Sequence, residues 1–125
     1  MQYMLLIHTD ESAMLEAMAK AKGGAPEMMG AYRAYTEAMQ KAGVFVAGDA
    51  LQPSTTATVV RVRDGQNQVL DGPYVEAKEQ LAGYYLIEAA DLDVALDWAA
   101  RCPGAAWGTV EVRPVLVFAP ATAMA

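Results

Sequence analysis

Alternation of apolar residues constrains this chain more than any other feature of its sequence. Taking every second residue through four stretches collects Tyr3, Leu5, Ile7, Thr58, Val60, Val62, Tyr85, Ile87, Val110, Val112 and Leu116, an almost wholly apolar set. A period of two puts such residues on one face of a β-sheet, and a face this apolar has to be covered by helices. The residues between them are Met4, Leu6, His8, Val59, Arg61, Tyr84, Leu86, Glu88, Glu111, Arg113 and Val115, a mixture of large apolar side chains and charges. A water-washed face carries few large apolar groups, and a dry core does not hold unpaired charges. The pattern predicts a cover for this second face as well. The simplest cover is the same sheet of a second copy, giving a homodimer with a partly polar interior.

The segments between these strands supply the helices. Tyr3-Met4-Leu5-Leu6-Ile7 reads as a first strand buried on both faces and ending at Asp10. Ser12 is placed to cap a helix from Ala13 to about Lys22, which Gly23-Gly24 then breaks. A longer helix starts at Pro26 and stops before Gly43, with Met28, Tyr32, Tyr35, Met39 and Ala42 at helical spacing. Val44 to Ala47 is extended, and Gly48, Asp49, Gln52, Pro53 and Ser54 read as a loop. Asp64-Gly65 joins Ala57–Arg63 to Gln66–Leu70 as a hairpin, because this dipeptide readily supplies the positive φ angles of a tight turn. Leu81–Ala89 is a strand, and Asp91 caps a helix with Ala95, Leu96 and Ala99 on one face, ended by Pro103. Thr109–Phe118 is the last strand. The order predicts an α+β fold of the ferredoxin-like plait type, an antiparallel sheet with both helices on one face. Residues 1–118 form the domain, and 119–125 a loose tail.

With 125 residues the chain is sized for one domain, and 54% hydrophobic against 19% charged residues excludes disorder. A net charge of -6 with no basic stripe argues against nucleic acid as a partner, and no apolar run is long enough to span a membrane. Met1 to Ile7 has neither the basic start nor the cleavage site of a signal peptide, and the single Cys102 forms no intrachain disulfide, so a cytoplasmic location is expected. One histidine and one cysteine do not make a structural zinc site, and there is no nucleophile elbow, phosphate loop or dinucleotide fingerprint. No metal and no cofactor are predicted. Cys102 and the methionines read as packing groups.

The most individual stretch is Asp71-Gly72-Pro73-Tyr74-Val75-Glu76-Ala77-Lys78-Glu79-Gln80-Leu81-Ala82-Gly83-Tyr84-Tyr85. Pro73 pushes Gly72 toward extended geometry, holding Asp71 at a turn from which Glu76 and Lys78 depart two residues apart. On residues alone this is either a shaped loop joining two strands or part of a site. The stretch resembles the signature of the DGPF group of the YCII-related proteins, Asp-Gly-Pro-Phe-Ala-Glu-Thr-Lys-Glu ahead of a Gly-Gly-Tyr strand. It departs at Tyr74, Val75, Ala77 and Ala82, and Ala77 removes a hydroxyl. The similarity extends to Tyr3–Ile7, to Asp91-Leu92-Asp93 and to Val110–Val115. It implies a ferredoxin-like dimer of the α+β barrel type. It also implies a regulatory setting, because many DGPF proteins are encoded beside sigma factors of the extracytoplasmic-function type. Some relatives use a His-Asp pair whose histidine lies on the first long helix. That place falls near Tyr32 here, and this helix contains no histidine.

The single histidine, His8, lies on the first strand with Asp10 two residues on and on the same side, about 7 Å away at Cα. A carboxylate that holds an imidazole raises its basicity, which suits a general base. The alternative is a histidine bonded to water or backbone. Glu88, Glu111, Arg113 and Arg61 either pair with one another or bind a carboxylate, for which arginine's planar fork is suited. The candidate site therefore combines His8 or Asp71 as base, Arg113 or Lys78 as anion holder, Tyr84 as a stacking wall with a hydroxyl, and Glu76 and Glu111. Three readings follow. One is a dimer that binds a small anionic or aromatic molecule in a pocket between the sheet and neighbouring loops and performs cofactor-independent proton transfer or elimination. Another is an adaptor with a sigma-factor-related partner, and the third is a structural dimer whose charges only pair.

Overall fold

A computed structural model describes residues 1–20 and 24–118, and within them the strand predicted from Tyr3–Ile7 becomes β1, Gln2–Thr9. It is followed by α1 (Glu11–Lys20), α2 (Gly24–Lys41), β2 (Phe45–Ala50), β3 (Thr58–Arg63), β4 (Gln66–Asp71), β5 (Gln80–Glu88), α3 (Leu92–Arg101) and β6 (Thr109–Pro114). Four strands form one antiparallel sheet in the order β2-β5-β1-β6, which matches the plait. The hairpin β3-β4 stands apart as a second, two-stranded sheet.

That separation corrects the sequence-derived faces. Thr58, Val60 and Val62 do not join the apolar face, and Val59 and Arg61 do not join the mixed one. β2 occupies their place beside β5, while every residue of β3 and β4 except the half-buried Val59 is exposed. Alternation alone cannot say which sheet a strand joins, because a period of two is the same in either. The turn itself is as expected: Asp64 and Gly65 have φ of 54° and 74°. β2 is longer than its apolar part, since Gly48 and Asp49 pair with Tyr85 and Tyr84 instead of looping out. Gly48 permits this pairing because its missing side chain leaves room for the Tyr85 ring.

The core lies between the sheet and α2 and α3. Tyr3, Leu5, Ile7, Tyr85 and Ile87 meet Tyr35 and Met39 from α2 and Ala95, Trp98 and Ala99 from α3, all buried. Tyr35 joins both layers. Its ring meets Tyr85 edge-on at 5.4 Å, and its hydroxyl donates to the Trp98 carbonyl at 2.6 Å. On α3 the buried stripe is Ala95, Trp98, Ala99 and then Cys102, whereas Leu96 is turned a further 100° around the helix and is exposed. β1 is buried on one face only in the single chain; Met4, Leu6 and His8 are half-buried. Leu116 is exposed, and β6 ends at Pro114, because its partner β1 begins at Gln2.

The caps follow their local chemistry. Asp10, not Ser12, caps α1: its carboxylate accepts from the Ala13 amide at 3.0 Å. Asp91 caps α3 as expected, accepting from Val94 at 3.0 Å. Gly43, at φ 74°, closes α2 with bonds from its own amide to Gln40 and from the Val44 amide to Met39. Gly24, expected in the break between helices, opens α2 ahead of Pro26. Lys22, Gly23 and the expected tail at 119–125 lie outside the described residues. Among the described residues no helix is long and apolar enough to cross a membrane.

Candidate functional site

His8 and Glu111 come together on the sheet face away from the helices. In β1-β6 register Leu6 lies opposite Glu111 and His8 opposite Thr109, so the carboxylate reaches diagonally to the ring. His8 Nε2 lies 3.2 Å from Glu111 Oε1. A carboxylate only accepts, so Nε2 carries the proton, and in the neutral ring Nδ1 is left as the proton acceptor. Asp10 does not serve this role, since its carboxylate is committed to the cap of α1. A second carboxylate lies close by: Thr109, the cross-strand neighbour of His8, donates its hydroxyl to Glu79 Oε1 at 2.7 Å. Glu79 closes the signature-like stretch but was not singled out there, and Thr109 belongs to no motif; the strand register places them beside His8.

His8 also lines a cleft of about 650 Å³ whose walls are mostly apolar, drawn from Leu51, Pro53, Pro73, Tyr74, Val75 and Leu81 among others. Two loops build it. The 51–57 loop is fixed by Glu11 of α1, whose two carboxylate oxygens accept from the Ser54 amide at 2.8 Å and the Ser54 hydroxyl at 2.9 Å. The 72–79 segment forms the other wall. Gly72 is not extended but sits at φ 106°, and its amide donates to the Ala57 carbonyl at 2.7 Å, closing the foot of the hairpin. Tyr74 folds toward the hairpin, where Arg61 lies 5.3 Å from its ring centroid. Arg61 is thereby taken out of the sheet-face charge group.

The motif thus presents Pro73, Tyr74, Val75, Ala77 and Leu81 to the cleft together with Glu79 and Gln80, while Asp71, Glu76 and Lys78 are exposed and do not line it. Tyr84 lies toward the other edge of the sheet, where its hydroxyl donates to Asp49 Oδ2 at 2.9 Å, and this bond holds its pKa above the ordinary phenol value. Arg113 is exposed opposite Met4, and Glu88 pairs with the Met1 ammonium at 2.9 Å, so neither belongs to the His8 pair.

A domain of this architecture, a four-stranded antiparallel sheet with helices on one face and a loop-walled cleft at one end, belongs to the ferredoxin-like α+β class. The profile of the YCII-related domain matches residues 1–119, and the chain belongs to that family. An uncharacterised protein of Rhizobium meliloti (strain 1021) is 37% identical over 122 residues, covering 96% of each chain.

Proposed function

We propose that the protein is a homodimer that binds a small molecule at the cleft beside His8 and performs cofactor-independent proton transfer on it. The observation that carries this reading is the 3.2 Å His8–Glu111 pair at the rim of an apolar cleft. Nδ1 takes a proton from a carbon or hydroxyl made acidic by a neighbouring carbonyl. Glu111 steadies the imidazolium that results, as an orienting carboxylate does for a base. Return of the proton at another atom is an isomerisation, and loss of a leaving group is an elimination. Arg113 and Lys78 supply cations for an anionic substrate if a second copy brings them over the cleft, and Tyr84 a wall. Support for the second copy comes from the mixed face itself, where Met4, Leu6 and Leu86 stay half-buried beside charges.

The test is a thermal-shift screen against phenols, lactones and small carboxylates, followed by turnover assays on any hit. Ligand at 100 times its Kd stabilises the fold by about 2.7 kcal/mol. The reading requires that His8→Gln abolish turnover with the fold intact and that Asp71→Asn leave it; the reverse pattern moves the base to Asp71. A different reading is favoured by one observation: Glu76 and Lys78 are exposed with no ion-pair partner among the described residues, next to Tyr74, itself 74% exposed. Such a surface suits an adaptor role toward an extracytoplasmic-function sigma factor. Direct binding of a purified sigma factor of that class, lost in a Glu76→Ala, Lys78→Ala double variant, supports this second reading.

A further inference from the structure

The polar groups that line the cleft beside His8 differ in what they have free for a ligand. Three donors are already engaged within the protein. The Ser54 hydroxyl donates to Glu11 Oε2 at 2.9 Å, the Thr56 hydroxyl to the Pro53 carbonyl at 2.7 Å, and the Gln80 side-chain amide to the Ala77 carbonyl at 2.7 Å. The acceptors are not. With Nε2 protonated toward Glu111, His8 keeps Nδ1 as an acceptor. Glu79 accepts from Thr109 through one carboxylate oxygen, and the other has no partner among the described residues. Glu79 is half-buried, and with the His8 ring neutral it is the one charged side chain of the lining among the described residues. Glu111 adds a second negative charge against His8. The cations that an anion would need, Lys78 and Arg113, do not line the cleft, and neither does Arg61, which lies against the Tyr74 ring. Gln52 and the Tyr74 hydroxyl serve either role.

An anion brought here stands unpaired beside one carboxylate and close to another, between apolar walls that weaken the screening by water. An ammonium meets the opposite field and offers only donors, which is what the free acceptors need. We infer that the cleft selects a small apolar molecule carrying an ammonium group. The ammonium donates to the free oxygen of Glu79, and the apolar body lies along Leu51, Pro73, Val75 and Leu81. This selectivity rests on the proposed reading of the cleft as a binding site and does not depend on turnover there.

The probes are cyclohexylmethylamine, cyclohexylmethanol and cyclohexanecarboxylate, which share one apolar body. They are titrated calorimetrically into the full chain, and the ¹⁵N signals of the His8 ring show whether each occupies the cleft. The amine is expected to bind tightest, the carboxylate weakest, and the amine to move the His8 signals. Glu79→Gln keeps an oxygen for Thr109 and removes the charge. It is expected to weaken the amine about 10-fold and the alcohol much less. Added salt is expected to weaken the amine and to leave the alcohol unchanged. This pattern without turnover of any substrate supports the selectivity and removes the proton-transfer reading. Carboxylate binding at His8 as tight as that of the amine overturns the selectivity and leaves the cleft a ligand site. Binding by none of the probes, or amine binding that ignores Glu79→Gln, overturns it as well.

Discussion

At the scale of single residues, what each polar group can do depends on what it is already bonded to. Asp10 and His8 share one side of the chain in sequence, but the free amides at the start of α1 claim the Asp10 carboxylate first. Glu111 fills the vacancy from a strand 103 residues away in sequence. Sequence spacing along one strand cannot reveal a partner on another, and that is why His8 stood out in the sequence while its pairing with Glu111 did not. Asp91, Gly43 and the Asp64-Gly65 turn were legible because capping and tight turns are decided within a few residues. Gly48 shows the same principle at close quarters. A Cβ at this position would lie 2.5 Å from Tyr85 Cδ1, so Gly48→Ala must displace the ring from its contacts with Tyr35 and Phe45. The expected loss is about 1–3 kcal/mol by denaturant titration, whereas an exposed Gly30→Ala in the middle of α2 stabilises.

Among the elements, the hairpin is where alternation misled. β3 and β4 have the residues of sheet strands, yet they pair only with each other and lie exposed, while the shorter apolar signal of β2 marks the true edge of the main sheet. What decides is backbone pairing with β5, which accepts the small Gly48 and Ala50 opposite Tyr85 and Gly83. The cleft beside His8 depends on a contact between elements as well. Glu11 holds Ser54 through two bonds from the start of α1, fixing the 51–57 loop that forms one wall. Glu11→Ala is expected to cost about 1–2 kcal/mol. Native-state hydrogen exchange should show faster opening at Ser54 and Ala57, with β1 amides protected as before. Equal acceleration in β1 would mean that Glu11 supports the whole domain instead of the wall.

For the whole molecule, the core carries more hydroxyl and thiol chemistry than its apolar sequence pattern suggested. Burial raises the pKa of Tyr32, Tyr35 and Tyr85 above the ordinary phenol value, and raises that of the Cys102 thiol. Each is neutral when protonated, so a raised folded-state pKa stabilises the fold fully below the unfolded value and loses that contribution as pH rises toward the folded one. Stability is therefore expected to hold from neutral pH to about 8.5, to weaken as the unfolded chain's thiol ionises, and to fall steeply above about pH 10, where unfolded tyrosines ionise. Urea titrations across this range, compared with Cys102→Ala, separate the thiol from the phenols. A flat profile to pH 11 would show that these groups are not buried in solution. The helix-covered face was readable from Tyr3, Leu5, Ile7, Tyr85 and Ile87 alone, and the family resemblance agreed with it. A pocket between the sheet and neighbouring loops was expected, but which loop residues wall the cleft was not readable, because those loops have no period.

His8 is the base we propose over the cleft, and it is the single histidine of the sequence. Its ring nitrogens therefore give a single pair of signals in a ¹⁵N-correlated spectrum, recorded at a pH where the ring is neutral. The account predicts that Nε2 carries the proton, that Glu111→Gln disturbs this preference, and that a hit from the thermal-shift screen moves both signals. A proton on Nδ1, or ring signals indifferent to Glu111→Gln and to every ligand that binds, would contradict it.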